Sequence, residues 1–144
     1  MKLSTKTRYG LRAALAIARQ YGRGPVKRKA IARQEDITPA YLENILTVLK
    51  HQRFISTNRG AHGGFNLLLP PGRLSLLEIV TALEGPLAPV DCLENPSECG
   101  KTSRCVTRRV WEKLARAQED VLRNLTLQDL LDWEKESGQP NYII

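Results

Sequence analysis

The chain has 144 residues, with 22 Lys and Arg against 15 Asp and Glu, a formal net charge of +7. That length fits one domain, or one domain with an arm, and can bury a core without disulfide or metal staples. Hydrophobic residues make up 42%, which argues against a disordered tail or a membrane protein, and an odd count of three cysteines argues against a secreted disulfide scaffold.

Ser4 or Thr5 can cap a first helix running to about Tyr21. Its opening is acid-free and Arg-rich, as in an organellar transit peptide. Yet Leu11, Ala14, Leu15 and Ala18 form one helical stripe that Gly22 ends, the pattern of a folded core helix. Gly22, Gly24 and Pro25 make a turn, and residues 26–34 read as a short helix anchored by Ile31. Glu35, Asp36 and Ile37 form a brief turn. Thr38 and Pro39 then open a third helix, an oxygen cap followed by proline at the first helical position. Tyr41, Leu42, Ile45, Leu46 and Leu49 follow at helical spacing. Two helices joined by about three residues are a helix-turn-helix.

The period then changes. Residues 54–58 and 65–69 suit two strands, and between them lies Arg59-Gly60-Ala61-His62-Gly63-Gly64. A hairpin directly after a helix-turn-helix is a wing, with Arg59 and His62 at its tip. Pro70-Pro71-Gly72 breaks the chain again, and Ser75 with Glu78 is a capping box opening a helix that Gly85-Pro86 stops. Residues 86–106 are a loop rich in Pro, Gly, Asn, Ser and Cys. Val110, Leu114, Ala117 and Val121 recur at 4-3-4 spacing on a long amphipathic helix over about 107–125. Thr126 caps a last short helix. No apolar run approaches the roughly 20 residues of a membrane span, so a soluble, cytoplasmic chain is expected.

The charge is uneven along this order. Residues 1–60 carry 13 Lys and Arg against 3 Asp and Glu, whereas residues 61–144 carry 9 against 12. The basic half coincides with the helix pair and the wing, and that coincidence points to double-stranded DNA rather than an anionic membrane. In a winged helix-turn-helix the second helix enters the major groove while the wing touches flanking backbone or minor groove. The exposed face of that helix is expected to hold Ala40, Glu43, Asn44, Thr47, Lys50 and His51, with Thr38 and Tyr41 at its start. Asn44 can pair with adenine and Glu43 can accept from cytosine. Arg59 suits a narrow A·T-rich minor groove, with His62 beside it. Lys2, Lys6, Arg8, Arg28, Lys29 and Lys50 are candidate phosphate contacts. For any single basic residue the competing reading is a solvated surface charge.

All three cysteines fall in the loop: Cys92, six residues, Cys99, five residues, Cys105. These spacings are too long for a redox C-x-x-C pair or a zinc ribbon, and neither histidine is near in sequence. Three thiolates with one outside ligand would suit an iron–sulfur cluster. Free thiols, or a reversible disulfide with one cysteine left over, remain open readings. With no C-x-x-C, dinucleotide fingerprint or phosphate-binding loop, no catalysis is expected, and an electron carrier or thiol oxidoreductase is disfavoured.

Residues 1–13 (MKLSTKTRYGLRA), Tyr41-Leu42-Glu43, Arg59-Gly60-Ala61-His62-Gly63-Gly64-Phe65, Leu76-Leu77-Glu78-Ile79-Val80 and Ala82-Leu83-Glu84-Gly85-Pro86 carry a resemblance. The chain resembles the bacterial IscR/NsrR/CymR-type family of winged helix-turn-helix transcription regulators, over residues 1 to about 133. Within that family it is most similar to the IscR-like iron–sulfur regulators. The resemblance implies a homodimer whose long helix crosses its partner, and a palindromic operator. It implies DNA reading by the helix carrying Ala40, Glu43 and Asn44, and by Arg59. It also implies a [2Fe–2S] cluster on Cys92, Cys99 and Cys105. Where some members supply a fourth ligand this chain has Arg108, and where others do it has Arg8. Asp91, Glu94, Glu98, Glu43 and His62 stay open for that role.

The expected fold class is mainly α with a small β-hairpin, a winged helix-turn-helix domain plus a long dimerisation helix. Residues 1–85 would form the DNA-binding domain and 86–106 the cysteine-bearing sensor loop. Residues 107–137 would form the dimerisation helix and short C-terminal helix, and 138–144 a flexible tail. The expected function is a dimeric DNA-binding transcription regulator, of a family of winged-helix repressors, whose operator affinity follows its cluster, acting on cluster-assembly genes. The alternative is a winged-helix repressor with a cluster-free thiol switch, or one controlled by a small molecule or partner enzyme of the cysteine-metabolism type.

Overall fold

Six α-helices and one antiparallel hairpin make up the regular structure of residues 2–138, which the computed structural model describes. The expected tail beyond Gly138 lies outside the described residues.

Helix α1, Thr5–Ala18, starts where the sequence places it: the Ser4 hydroxyl accepts from the Thr7 N–H at 3.2 Å. It ends earlier than expected, and the backbone continues in tight turns to Gly22, at φ 78°. Its buried face is mostly small: Ala13, Ala14, Ala16, Ile17 and Ala18. Small side chains let neighbours come close, and α1 is the central helix of the head. At Gly10 a Cβ would come within 2.3 Å of the Leu83 side chain, so only glycine admits that neighbour without a shift.

Helix α2 is Arg28–Glu35, two residues later at its start than the sequence suggests. Val26 is buried and extended instead, exchanging backbone hydrogen bonds with Phe65 at 2.9 and 2.8 Å. Asp36 leaves α2 in the left-handed region at φ 53°. Helix α3, Pro39–His51, opens as read: the Thr38 hydroxyl accepts from the Tyr41 N–H and Pro39 takes the first position. Leu42, Ile45, Leu46 and Leu49 point into the core. Burying each such side chain contributes roughly 1.5–3 kcal/mol.

The wing pairs β1, Ile55–Asn58, with β2, Gly64–Leu67, in the register Ile55 opposite Leu67. Both strands are shorter than expected. The Phe54 N–H closes the end of α3 by bonding to the Leu49 carbonyl, so the ladder begins after it.

Helix α4, Leu76–Glu84, has the expected capping box of Ser75 and Glu78, and ends at Gly85. Helices α5, Arg108–Arg123, and α6, Leu127–Glu136, follow the loop. The N-termini of α4 and α6 are tied together: Ser75 bridges Thr126, Leu76 N–H donates to Leu125 at 2.8 Å, and Leu127 N–H donates to Leu74 at 3.2 Å. Leu74 and Leu127 are fully buried there. Helix α6 thus packs back on the head, whereas α5 contains no buried residue. The architecture is mainly α with a two-stranded hairpin, as expected. Among the described residues no helix is long and apolar enough to cross a membrane.

Candidate nucleic-acid interface and cysteine loop

The core face of α3 fixes what is left for solvent. Ala40, Glu43, Asn44, Thr47, Lys50 and His51 are all exposed, together with the cap Thr38. The first turn of α2 contributes exposed Lys27, Arg28 and Lys29, and its cap position makes no side-chain cap bond. Sequence reasoning named Arg28 and Lys29 but not Lys27, which the structure places at the cap of α2 rather than inside the helix. Arg28 and Glu43 are salt-bridged across the two helices. That pair joins the carboxylate expected to read a base to the guanidinium expected to meet a phosphate, both of them half-exposed.

Tyr41 is half-buried. Its ring meets Tyr9 of α1 edge to face, 6.0 Å between centres at 84°. Such pairs contribute roughly 0.5–1.5 kcal/mol beyond their burial. Arg59 and His62 are exposed between β1 and β2. The wing is anchored at its base, since a Cβ on Gly64 would lie 2.6 Å from the Val26 carbonyl oxygen. Lys2 stands elsewhere. It lines a cavity of about 530 Å³ with Leu3, Leu87, Val121 and Leu122, to which no residue of α2, α3 or the wing contributes.

The cysteine loop is more ordered than its composition suggests. Short 3-10 turns occupy Asp91–Leu93, Pro96–Glu98 and Thr102–Arg104. Cys92 lies within the first, Cys99 directly follows the second, and Cys105 directly follows the third. The Thr102 hydroxyl sits within hydrogen-bond distance of the Pro96 and Cys99 carbonyls, at 2.8 and 2.7 Å, and holds two turns together. All three thiols are free and half-buried. The sulfur of Cys105 lies 3.2 Å from the Thr107 hydroxyl at the start of α5. That hydroxyl first, then the Arg108 backbone, the Thr107 backbone and the Arg108 charge hold its pKa below the ordinary thiol value, against the opposing effect of burial.

The three thiols do not converge. Among the described residues no group of three His, Cys, Asp or Glu side chains is placed to hold a metal ion. The two positions where the resemblance looks for a fourth ligand are engaged otherwise. Arg108 bonds Glu112 at 3.0 Å, and Arg8 bonds Thr5 at 3.2 Å.

A carboxylate at the other end of the loop stands in a motif of the resemblance, but its role escaped the sequence reading. Glu84, the last residue of α4, accepts from the Ser4 backbone at 3.0 Å, from the Ser4 hydroxyl at 2.7 Å, and from the Thr7 hydroxyl. These bonds, led by Thr7, hold its pKa below the usual carboxylate range. They also tie the start of α1 to the start of the cysteine loop. Its partners lie far away in the chain, so no local signal marks it.

Residues 3–133 match the Rrf2 family, iron-dependent transcriptional regulators. The chain is 38% identical over 131 residues to the protein rrf2 of Nitratidesulfovibrio vulgaris, covering 91% of this chain and 87% of that protein. The solved structure of T. potens IscR superposes with a TM-score of 0.80 at 33% identity, covering 98% of this chain and 93% of that one. CymR, the global cysteine regulator of B. subtilis, superposes with a TM-score of 0.78 at 32% identity, covering 92% and 98%. Transcription regulators of this family bind DNA, and neither the family nor these relatives are enzymes. The chain belongs to the Rrf2 family of iron-dependent transcriptional regulators.

Proposed function

We propose that the protein is a homodimeric, cytoplasmic regulator that reads a palindromic operator and whose affinity for it is set by an iron–sulfur cluster, of the [2Fe–2S] type, on Cys92, Cys99 and Cys105. Cluster-assembly genes are the proposed targets. One observation carries the reading: the loop bearing every cysteine joins α4, packed in the head, to α5, which has no buried residue. Ligation that draws the three turns together acts on that joint. It therefore bears on how two DNA heads are spaced in a dimer.

The donor set fits such a group chemically: three free thiols on one segment, one of them held toward thiolate. The loop has to rearrange to bring them to one centre. In the DNA-facing half, Ala40, Glu43 and Asn44 would face base edges, with Thr38 and Tyr41 at the start of the same helix. Arg59 and His62 would reach the flanking groove, and Arg28, Lys29 and Lys50 would meet phosphates, whereas Lys2, beside α5, is set apart from this face. The test is DNA binding by anaerobically reconstituted and iron-free protein across a random duplex library. A colourless protein that binds no iron sinks the cluster assignment.

A second reading is favoured by the dispersed thiols and by the depressed pKa of Cys105: a cluster-free thiol switch. The similarity to a cysteine regulator keeps a small-molecule or partner-enzyme effector beside it. Operator binding that responds to peroxide in iron-free protein supports the thiol switch. Binding unchanged after Cys→Ala at all three positions supports the effector.

A further inference from the structure

Four charged side chains from three parts of the head meet in one cluster that the DNA-facing face does not include. Glu35, the last residue of α2, is 7% exposed. Its carboxylate accepts from Arg12 Nε and from Arg19 Nη1, each at 3.0 Å. Arg12 Nη2 also donates to the Glu35 main-chain carbonyl at 2.5 Å. That carbonyl is one of those an α-helix leaves without an internal partner at its C-terminus. Arg19 turns its other edge to Glu134 of α6, with Nε and Nη2 donating at 3.1 and 2.5 Å. Burial works against the Arg19 charge, but its hydrogen bonds to Glu134 and Glu35 outweigh it and the pKa is raised. Two guanidinium groups and two carboxylates balance.

Arg12 is half-exposed while the other three side chains are largely buried, and an ionic cluster so withdrawn from water is often no more stabilising than apolar side chains of the same shape. What it does impose is a fixed geometry, and here that geometry falls on the helix-turn-helix. The Glu35 carbonyl and carboxylate sit three residues before Thr38, the cap of α3. A second branch reaches α3 directly. The Arg12 guanidinium lies 5.3 Å from the centre of the Tyr9 ring, and Tyr9 packs against Tyr41 in the first turn of α3. On the other side, Glu134 belongs to the helix that follows α5 after only residues 124–126.

We infer that Arg19 and Glu35 are positioning residues for DNA recognition, forming a joint through which the placement of α6 sets the aim of α3. The inference rests on reading α3 as the recognition helix and α5 as the dimer arm. The competing account is a contact that stabilises the head and does nothing more.

The experiment uses the full-length protein and the operator selected from a random library, rebuilt with altered spacing between half-sites. Glu134→Gln removes the α6 charge and leaves the bonds between Arg19 and Glu35 in place. It is expected to lower operator affinity roughly fivefold or more, the scale of ordinary site coupling. It is also expected to broaden the preferred half-site spacing while leaving affinity for random duplex unchanged. Glu134→Asp, which keeps the charge, recovers most of the loss, and Lys135→Gln on the same helix has no effect. A Glu134→Gln protein that melts earlier but keeps parental affinity and spacing overturns the joint. If that variant does not fold, Arg19→Lys poses the same question, because a lysine cannot bridge two carboxylates with a planar fork. Parental spacing in Arg19→Lys again overturns the joint. A parental protein with no spacing preference overturns the dimeric reading, and the joint with it.

Discussion

Arg59 stands exposed between the two strands of the wing, on a hairpin whose base is locked to Val26 through Phe65 and Gly64. A long cation on a rigid arm is suited to a narrow minor groove, where the negative potential is strongest. Arg59→Ala is expected to weaken operator binding by ~1–3 kcal/mol and relax any A·T preference beside the half-sites. Equal losses on operator and random duplex would reduce the residue to a phosphate contact. Cys105 makes the second residue-scale case. Its thiol is held below the ordinary pKa first by the Thr107 hydroxyl, so a larger share is thiolate at neutral pH. Alkylation of iron-free protein, followed at Cys105 against pH, is expected to show a midpoint below that of an ordinary thiol. Removing the hydroxyl with Thr107→Val moves that midpoint up. A midpoint that stays put would assign the shift to the backbone and charge of Arg108 instead.

Elements were legible in the sequence where their signals are local. Ser4, Thr38, Ser75 and Thr126 each cap a helix through a partner three residues on, and a reader can see both residues at once. The α4 and α6 boxes also show what lies beyond that reach. Their capping residues, Ser75 and Thr126, bridge each other across the fold, which no periodicity announces. Val26 was misplaced for the same reason: its partner Phe65 is remote, and a single apolar residue before a short helix fits either state. Likewise the Glu35 cluster joins helices at opposite ends of the chain, and Glu84 of α4 meets the start of α1, 80 residues away. The three cysteines were visible, but the turns that keep them apart depend on Thr102 and its carbonyl partners. Thr126→Ala tests the doubled cap. Losing an N-cap costs about 1 kcal/mol, and here Asp129 also loses the hydroxyl it accepts from at 2.7 Å. At fixed protein concentration Tm is expected to fall by about 2–4 °C for each kcal/mol lost. An unchanged melt would mean that the Leu127 anchor and the bridge to Ser75 suffice without the cap.

At the scale of the molecule, α5 is the element that the protomer leaves unfinished. Its apolar stripe has Val110 at 55% and Val121 at 60% exposure, and Val106 just before it stands at 76%. A helix with one apolar face and no buried residue needs another surface, and a second copy related by a two-fold axis presents the same stripe in return. That pairing would set two α3 helices apart by a fixed distance, which is what a palindromic operator requires. Val110→Asp separates this assembly role from folding. Within one protomer Val110 is more than half exposed, so the secondary structure and the core around Leu42, Ile79 and Leu127 are expected to survive. In a dimer the new carboxylate would be desolvated without a partner, a cost of several kcal/mol on each side of the two-fold axis. Light scattering is then expected to find a monomer. Operator affinity should fall toward that for random duplex, because the second head no longer binds at the effective concentration the first supplies. A Val110→Asp protein that stays dimeric and keeps its operator affinity would move the two-fold contact off this stripe, and the spacing of the two heads would then have to come from another face of the chain.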